Sequence, residues 1–599
     1  MKKIAVIDFG GQYTHLIANR VRNLGVYSEI HQPEDFQPKQ EPEIAGIILS
    51  GGPHSVTEPG HPTLRFDIAD NKLPILGLCY GHQLLAQLLG GTVEKGTARE
   101  YGPADITCDQ KSRLFSGFST KRNVWMSHGD HVEVLPPNCR SIAFSPDLPV
   151  AAFESDCSRY FGLQFHPEVS NTERGMEIIL RFLEFCTTEK RWVAGSYAEE
   201  IIERIKYEAD NKKLLLLLSG GVDSLVALEL CIKAVGVDRV CSIHVDTGLM
   251  RENESAEIIS HLESAGFRNI KIVDAESLFL NQLSGVWEPE KKREIIGRLF
   301  IELVDAEIAG IRDKTSEWKL VQGTIYPDRI ESGATRNSAK IKTHHNRVDA
   351  VKKMIERGMV IEPLKDLYKD EVRSLGRELK LPECLISRHP FPGPGLGVRI
   401  LASSDEMPEP GYNSETEKLE RILSAFDLAG LILPVKSVGV QGDQRTYLHP
   451  AVVWYKNESD IYWSRLKECS RAVINELKTV NRVVFSPYEK VSTVALIISD
   501  VNKQRADLLR RVDAEVRHET ETLPDIWQMP VISLPAVDEK GLPIFVLRPV
   551  TSENAMTADF YRMDQKLLRS LYDRLGAIKG IGRVFYDITP KPPGTIEWE

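Results

Sequence analysis

The chain has 599 residues, 75 Lys and Arg against 85 Asp and Glu for a formal net charge of −10, and 42% hydrophobic residues. At ~100–200 residues per domain that length corresponds to roughly three to five domains, each large enough to bury a core, and excludes a single small module. The acidic balance lacks the footprint of a nucleic-acid binder, no window reaches the ~18 uncharged apolar residues of a membrane span, and nine cysteines without a CxxC pair speak against a disulfide framework or structural zinc.

Small-molecule chemistry in the cytoplasm is the expectation, with neither nucleic acid nor membrane as a partner. Residues 1–190 alternate short apolar runs (3–7, 46–49, 73–78, 150–153 and 161–165) with helical patterns, which reads as an α/β layer fold around a largely parallel sheet. The run 46–49 leads into Ser50-Gly51-Gly52-Pro53, whose backbone N–H groups can face an anion; a plain tight turn is the other reading. The run 73–78 leads through Gly77 into Cys79-Tyr80-Gly81 and a helix with Leu84, Leu85, Leu88 and Leu89 on its apolar face. Glycines flanking a cysteine at a strand-to-helix turn have the logic of a nucleophile elbow: small neighbours permit a strained turn, and the helix N-terminus stabilises the thiolate. A buried structural cysteine is the plain alternative. The run 161–165 ends in His166-Pro167-Glu168. Residues two apart on an extended segment face the same side, so His166 can act as base to Cys79 while Glu168 orients the imidazole.

These features, in this order, resemble class I glutamine amidotransferases over residues 1–190. The resemblance implies hydrolysis of glutamine to glutamate and ammonia through a thioester. It makes Cys79 the nucleophile, His166 the base and Glu168 its orienting partner, with Gly52 and Tyr80 supplying the oxyanion hole.

The stretch 187–196 is short, polar and Gly-containing, which places the first boundary at 190. A second alternating region, 191–398, has runs at 214–218, 240–245 and 270–273 and closes at the Pro/Gly cluster 390–397, through which neither a helix nor a central strand continues. Its first strand leads into Ser219-Gly220-Gly221-Val222-Asp223-Ser224 and a helix, so backbone N–H groups can cradle phosphates at a helix N-terminus. The lysine of a GxxxxGK[ST] loop is missing and Asp223 stands in the turn instead. A carboxylate among phosphates needs a cation between them, which implies Mg²⁺. This loop resembles that of the ATP-pyrophosphatases, adenylating enzymes that release pyrophosphate, with a Rossmann-like fold. Asp246 ends the next strand, where α/β sheets receive ligands, and reads as a contact to the adenosine of ATP or as a helix cap. Further blocks follow at 287–297 (with Arg293), 322–328, 341–346 (with Lys342, His344 and His345) and 388–396. Adjacent histidines on a strand point oppositely and no carboxylate cluster accompanies them, so phosphate contacts are favoured over a metal.

Residues 399–599 read as an α+β region. Arg482-Val483-Val484-Phe485 follows one helical pattern, and Arg583-Val584-Phe585-Tyr586 follows another roughly a hundred residues later, which points to a duplication with subdomains at about 399–500 and 501–599. Together with 437–443 and 591–599, these blocks resemble the glutamine-hydrolysing GMP synthetase family over essentially the whole chain. The resemblance implies that ATP adenylates XMP, ammonia displaces AMP, and GMP and pyrophosphate are the other products. It assigns ATP to Ser219, Gly220, Gly221, Val222, Asp223, Ser224 and Asp246, Mg²⁺ to Asp223, and XMP to Arg293, Asp443, Gln528, Lys591, Ile596 and Glu597. The length past 398 resembles the longer, eukaryote-type members, whose second subdomain fills the place of a partner subunit, so a monomer is expected, with a dimer as the alternative. NAD synthetase, a tRNA-modifying ATP-pyrophosphatase and a nucleotide sensor built on an inactive amidotransferase are the rival readings.

Overall fold

A computed structural model of the chain describes residues 2–599 apart from 69, 146–147, 170, 187–191, 194–196, 265–266, 268, 312–317, 329–353, 355–357, 387–390, 405–414, 442–443, 458–459, 522, 524, 552–557 and 592. It divides into two compact units. The first comprises 1–199 with 324–343 and 364–375, and the second comprises 200–323, 344–363 and 376–599.

The first unit carries a nine-stranded sheet in the order Ser28–His31, Lys3–Ile7, Ile44–Leu49, Ile75–Leu78, Tyr160–Leu163, Ala152–Ser155, Cys139–Phe144, Thr92–Cys108 and Lys121–Val134. The first five strands are mutually parallel and the remainder antiparallel. Four of the apolar runs, 3–7, 46–49, 73–78 and 161–165, fall on the parallel half, which also holds the unread strand Ser28–His31, while the run 150–153 overlaps the antiparallel strand Ala152–Ser155. Strand Lys121–Val134 escaped that reading because it alternates buried and more exposed positions, the signature of a strand with one wet face rather than of an apolar run. Helix Gly175–Phe185 packs Ile178 and Phe182 against Leu76, Phe161 and Leu163. Residues 324–328 and 364–375, read from sequence as part of the adenylating region, group with this unit. Their anchor is the buried Arg22, whose guanidinium lies 4.5 Å from the Tyr27 ring, 4.8 Å from Tyr326 and 5.0 Å from Tyr368, and pairs with Glu371 at 3.1 Å.

The second unit opens with a five-stranded parallel sheet ordered Ile270–Asp274, Val240–Asp246, Lys213–Leu217, Trp318–Val321, Val360–Ile361. Chain order reverses between Lys213–Leu217 and Trp318–Val321, the switch point at which such sheets open a crevice. A second sheet of eight strands follows. Helix Thr416–Ser424, the antiparallel pair Leu428–Ile432 and Gln444–Tyr455, helix Trp463–Glu476 and strand Val480–Phe485 form one run. Helix Lys503–Thr520, the pair Val531–Val537 and Pro543–Leu547, helix Gln565–Gly576 and strand Val584–Asp587 form the next in the same order. The runs meet where Val480–Phe485 pairs antiparallel with Val584–Asp587.

Residues 593–598 lie along strand Ser437–Gln441, with Val438 N–H donating to Trp598 O at 2.8 Å and Val440 N–H to Pro593 O at 2.7 Å. Buried Asp587 organises this region. Its carboxylate lies 3.1 Å from the Arg482 guanidinium and 3.3 Å from that of Arg548, and accepts from Trp598 Nε1 at 3.0 Å. Arg482 also donates to Val438 O, Thr595 O and Glu597 O at 2.8, 3.0 and 3.2 Å. Buried polar groups keep their place only when bonded, and these bonds tie the 593–598 segment down.

Among the described residues, no helix is long and apolar enough to cross a membrane.

Candidate active site

Strand Ile75–Leu78 runs into Cys79, whose φ of 51° and ψ of −106° put a non-glycine residue in the left-handed region just before helix Tyr80–Leu88. Such backbone strain costs about 1–3 kcal/mol and survives only where the surroundings over-determine it. Here a Cβ on Gly77 would strike the carbonyl of Gly81, and one on Gly81 would strike that of Leu49. Hydrogen bonds complete the wedge, from Gly81 N–H to Ser50 O at 3.0 Å and from Cys79 N–H to Leu163 O at 2.8 Å. The 50–52 loop lies against the same turn, since a Cβ on Gly51 would come within 3.3 Å of His166 Cε1 and 3.7 Å of Cys79 Cβ. Ser50 Oγ holds that loop, accepting from Phe9 N–H at 3.1 Å and donating to Gly51 O at 2.8 Å. Tyr80 is the first residue of its helix, so its N–H has no carbonyl within the helix to bond.

His166 Nδ1 and Glu168 Oε1 are 2.7 Å apart, both side chains being buried. Nε2 is thereby left to face Cys79, whose sulfur favours the charged imidazole and donates to Ser127 O at 3.3 Å. Burial opposes the imidazolium, but the Glu168 carboxylate and Cys79 outweigh it and push the imidazole from its ordinary 6.5 up to about 10. At neutral pH the ring rests protonated. It is thus poised to give a proton to a departing amine and then to take one from water. A folded value above the ordinary one contributes stability that is complete below pH 6.5 and is lost as pH rises through about 10. Glu168→Gln removes the largest influence favouring the cation and leaves burial to dominate. The kcat/KM of a reaction that uses Cys79 as nucleophile is expected to fall by roughly 10²–10⁴ at neutral pH. The alkaline limb of its pH profile should also shift from about 10 toward neutrality; a limb that stays in place contradicts the pairing.

Several contacts to the triad carry no motif in the sequence. Tyr13 sets its ring edge-on to His166 at 4.9 Å, Arg20 Nε donates to Glu168 O at 3.1 Å, and Thr172 Oγ1 donates to His166 O at 2.6 Å. They come from helix Thr14–Asn23 or its flank and from the loop after His166, so only the fold identifies them.

In the second unit, strand Lys213–Leu217 leads into a loop that turns at Gly220, where φ is 79° and a Cβ would run into the Ile258 side chain. Gly221 precedes helix Val222–Val235, Asp223 sits in its first turn, and Ser224 Oγ donates to Gly221 O at 2.8 Å. A Cβ on Gly323, just past strand Trp318–Val321, would lie 3.4 Å from Ser224 N and 3.5 Å from Asp223 Cβ. The loop therefore stands at the switch point of the parallel sheet, with a helix N-terminus beneath it, and suits an anionic ligand. Asp246 ends its strand and accepts from Gly248 N–H at 3.0 Å. It shapes its own turn and caps no helix, since the next one starts at Glu254.

Arg293 lies on helix Pro289–Ile311, bonds Glu290 at 3.1 Å and donates from Nη2 to Glu599 O. Arg399 grips the Glu597 carboxylate from two nitrogens at 2.8 and 3.1 Å, so that carboxylate is already paired. The main chains of Gln528 and Val550 are bonded, as are those of Lys591 and Ala558, and these partners belong to or adjoin the small sheet Val550–Thr551 and Asp559–Phe560. Ile596 stands between the Arg482-bound Thr595 and Glu597. Arg293 and the 596–599 segment are thus brought together, and Gln528 and Lys591 are joined through one ribbon. Asp443 and Lys342 lie outside the described residues.

Comparison with known proteins gives two family matches, glutamine amidotransferase class-I over residues 5–185 and GMP synthase C terminal domain over 413–496 and 524–598. A protein of Leptospira interrogans named probable GMP synthase (glutamine-hydrolyzing) is 43% identical over 610 aligned residues, covering 100% of this chain and 99% of its own. Proteins named GMP synthase (glutamine-hydrolyzing) are 37% identical in Streptomyces coelicolor, covering 100% of this chain and 98% of theirs, and 42% identical in Clostridium perfringens, covering 81% and 98%.

Proposed function

Since the chain belongs to the family of glutamine-hydrolysing GMP synthases, we propose that its two sites divide that reaction between them. The activity is GMP synthesis from XMP, glutamine and ATP, a carbon–nitrogen ligation with glutamine as amido donor. The wedged Cys79 beside a protonated His166 carries the reading for the first site. Cys79 sulfur attacks the side-chain amide carbon of glutamine, the N–H groups of Gly52 and Tyr80 receive the developing oxyanion, and His166 protonates the leaving ammonia. His166 then takes a proton from the water that opens the thioester, releasing glutamate.

In the second unit, Ser219, Gly220, Gly221, Val222 and Ser224 hold the ATP phosphates and Asp246 the adenosine. Adenylation turns an oxygen of the XMP purine into a good leaving group, so ammonia displaces AMP. One carboxylate at a phosphate loop suits Mg²⁺, which binds few protein groups and completes its octahedron with waters and phosphate oxygens; Asp223 is the residue that would hold it. Bound there, Mg²⁺ neutralises phosphate charge. Arg293 and Lys591 pair with the XMP phosphate, while Asp443, Gln528, Ile596 and Glu597 read its ribose and base.

The chain works in the cytoplasm. Its C-terminal region is a duplication that serves as its own partner, supported by the repeated element order and the central pairing of Val480–Phe485 with Val584–Asp587; sedimentation at micromolar concentration should give a monomer. The test of the whole reading is AMP release, expected only when XMP, ATP and a nitrogen source are present together. AMP release without XMP, or none with it, refutes it. The C-terminal match favours this reading over NAD synthetase.

A further inference from the structure

Lys292 immediately precedes the proposed XMP ligand Arg293 on helix Pro289–Ile311. Its side chain is 0% exposed and pairs with the carboxylate of Glu599, also 0% exposed, while Nζ donates to Ile400 O at 3.0 Å. Arg293 Nη2 donates to the main-chain oxygen of the same Glu599. One residue thus holds two successive cations of the helix, Lys292 by its carboxylate and Arg293 by its backbone. Arg399 also clamps Glu597, and Arg482 holds Thr595 O and Glu597 O. The 595–599 segment is therefore cross-linked to helix Pro289–Ile311, to Arg399 and to Arg482 by charge-assisted bonds.

A buried ion pair is a poor stabiliser, because the loss of hydration offsets the attraction, and apolar replacements of both partners are often as stable or more so. Its value is directional, fixing the register of one element against another. Arg293 is long and flexible, and holding it in advance removes part of the ordering cost of ligand binding. Resting on the XMP-site reading above, we propose that Lys292 and Glu599 are positioning residues for XMP. Their buried pair seats the 596–599 segment on helix Pro289–Ile311, so that Arg293, Ile596 and Glu597 meet one nucleotide together.

Steady-state AMP release by the full chain, with ammonium as nitrogen source and XMP and ATP varied in turn, tests this. Glu599→Gln is expected to raise KM for XMP by about tenfold or more, with KM for ATP moving by less than about twofold, because displacing a binding group by ~1 Å is costly. That variant also strands a buried ammonium and loses stability, so the Lys292→Met/Glu599→Gln double variant decides. With both charges gone its thermal midpoint should return to that of the parent. A KM for XMP that stays raised in the stable double variant supports positioning. A KM for XMP restored along with the midpoint, or a double variant that does not fold, assigns the pair to stability alone and overturns the proposal. A parent enzyme without XMP-dependent AMP release would instead overturn the functional reading on which the proposal rests.

Discussion

Cys79→Ala is expected to lower glutamine-supported GMP formation by a factor of about 10⁴ or more while leaving ammonium-supported formation within about twofold. A factor of 10⁴ is about 5.5 kcal/mol of barrier, larger than any side effect of the substitution. Alanine keeps the Cβ that the left-handed backbone at this position already tolerates, and it removes one buried sulfur, a loss of ~1 kcal/mol or so in packing. The fold should therefore persist, and the defect should be confined to ammonia production. Product formation measured with each nitrogen source in parallel provides the check. Equal loss with both would mean that glutamine hydrolysis and amination are not separable sites.

The complementary result is expected of Asp223→Asn, which should reduce AMP and pyrophosphate release by roughly 10²–10³ with either nitrogen source while sparing basal glutamine hydrolysis. Two effects compete to explain such a loss. Asp223 lies in the first turn of helix Val222–Val235, where a carboxylate gains about 0.3–1 kcal/mol from the helix dipole. That is at most a several-fold effect, so a loss of 10² or more must come from the cation that a carboxylate holds and an amide does not. Raising the Mg²⁺ concentration should recover part of the activity of the variant. Unchanged ammonium-driven turnover would remove Asp223 from the metal role.

The parts of these sites that were legible in sequence are those confined to a few consecutive residues. A cysteine between glycines at the end of an apolar run announced the elbow, because only small neighbours allow so tight a turn, and the observed close approaches of Gly77 and Gly81 are its physical basis. The loop 219–224 was legible as a strand-to-helix turn for the same reason, since its glycines, helix and preceding strand are contiguous in sequence. His166 and Glu168 were legible as a pair by their spacing of two and stand 2.7 Å apart, but the strand ends at Leu163 and Pro167 and Glu168 lie in a turn, so the turn rather than strand alternation brings them together.

Apolar runs and local spacings thus settled by themselves that the chain has a parallel layer, a tight strand-to-helix turn at Cys79 and a glycine-rich strand-to-helix loop at 219–224, since each follows from the geometry of a handful of neighbouring residues. Tertiary structure alone decided the rest. The antiparallel strand Lys121–Val134 of the first sheet was hidden by its wet face. Residues 324–328 and 364–375 joined the first unit through an arginine more than three hundred residues away in sequence. The protonated state of His166 depends on how burial is outweighed by Glu168 and Cys79. The Lys292–Glu599 pair, like these, joins residues whose separation in sequence carries no information about their distance. Electrostatic and packing energies act through space, and no local pattern reports what the folded chain places within a few ångströms.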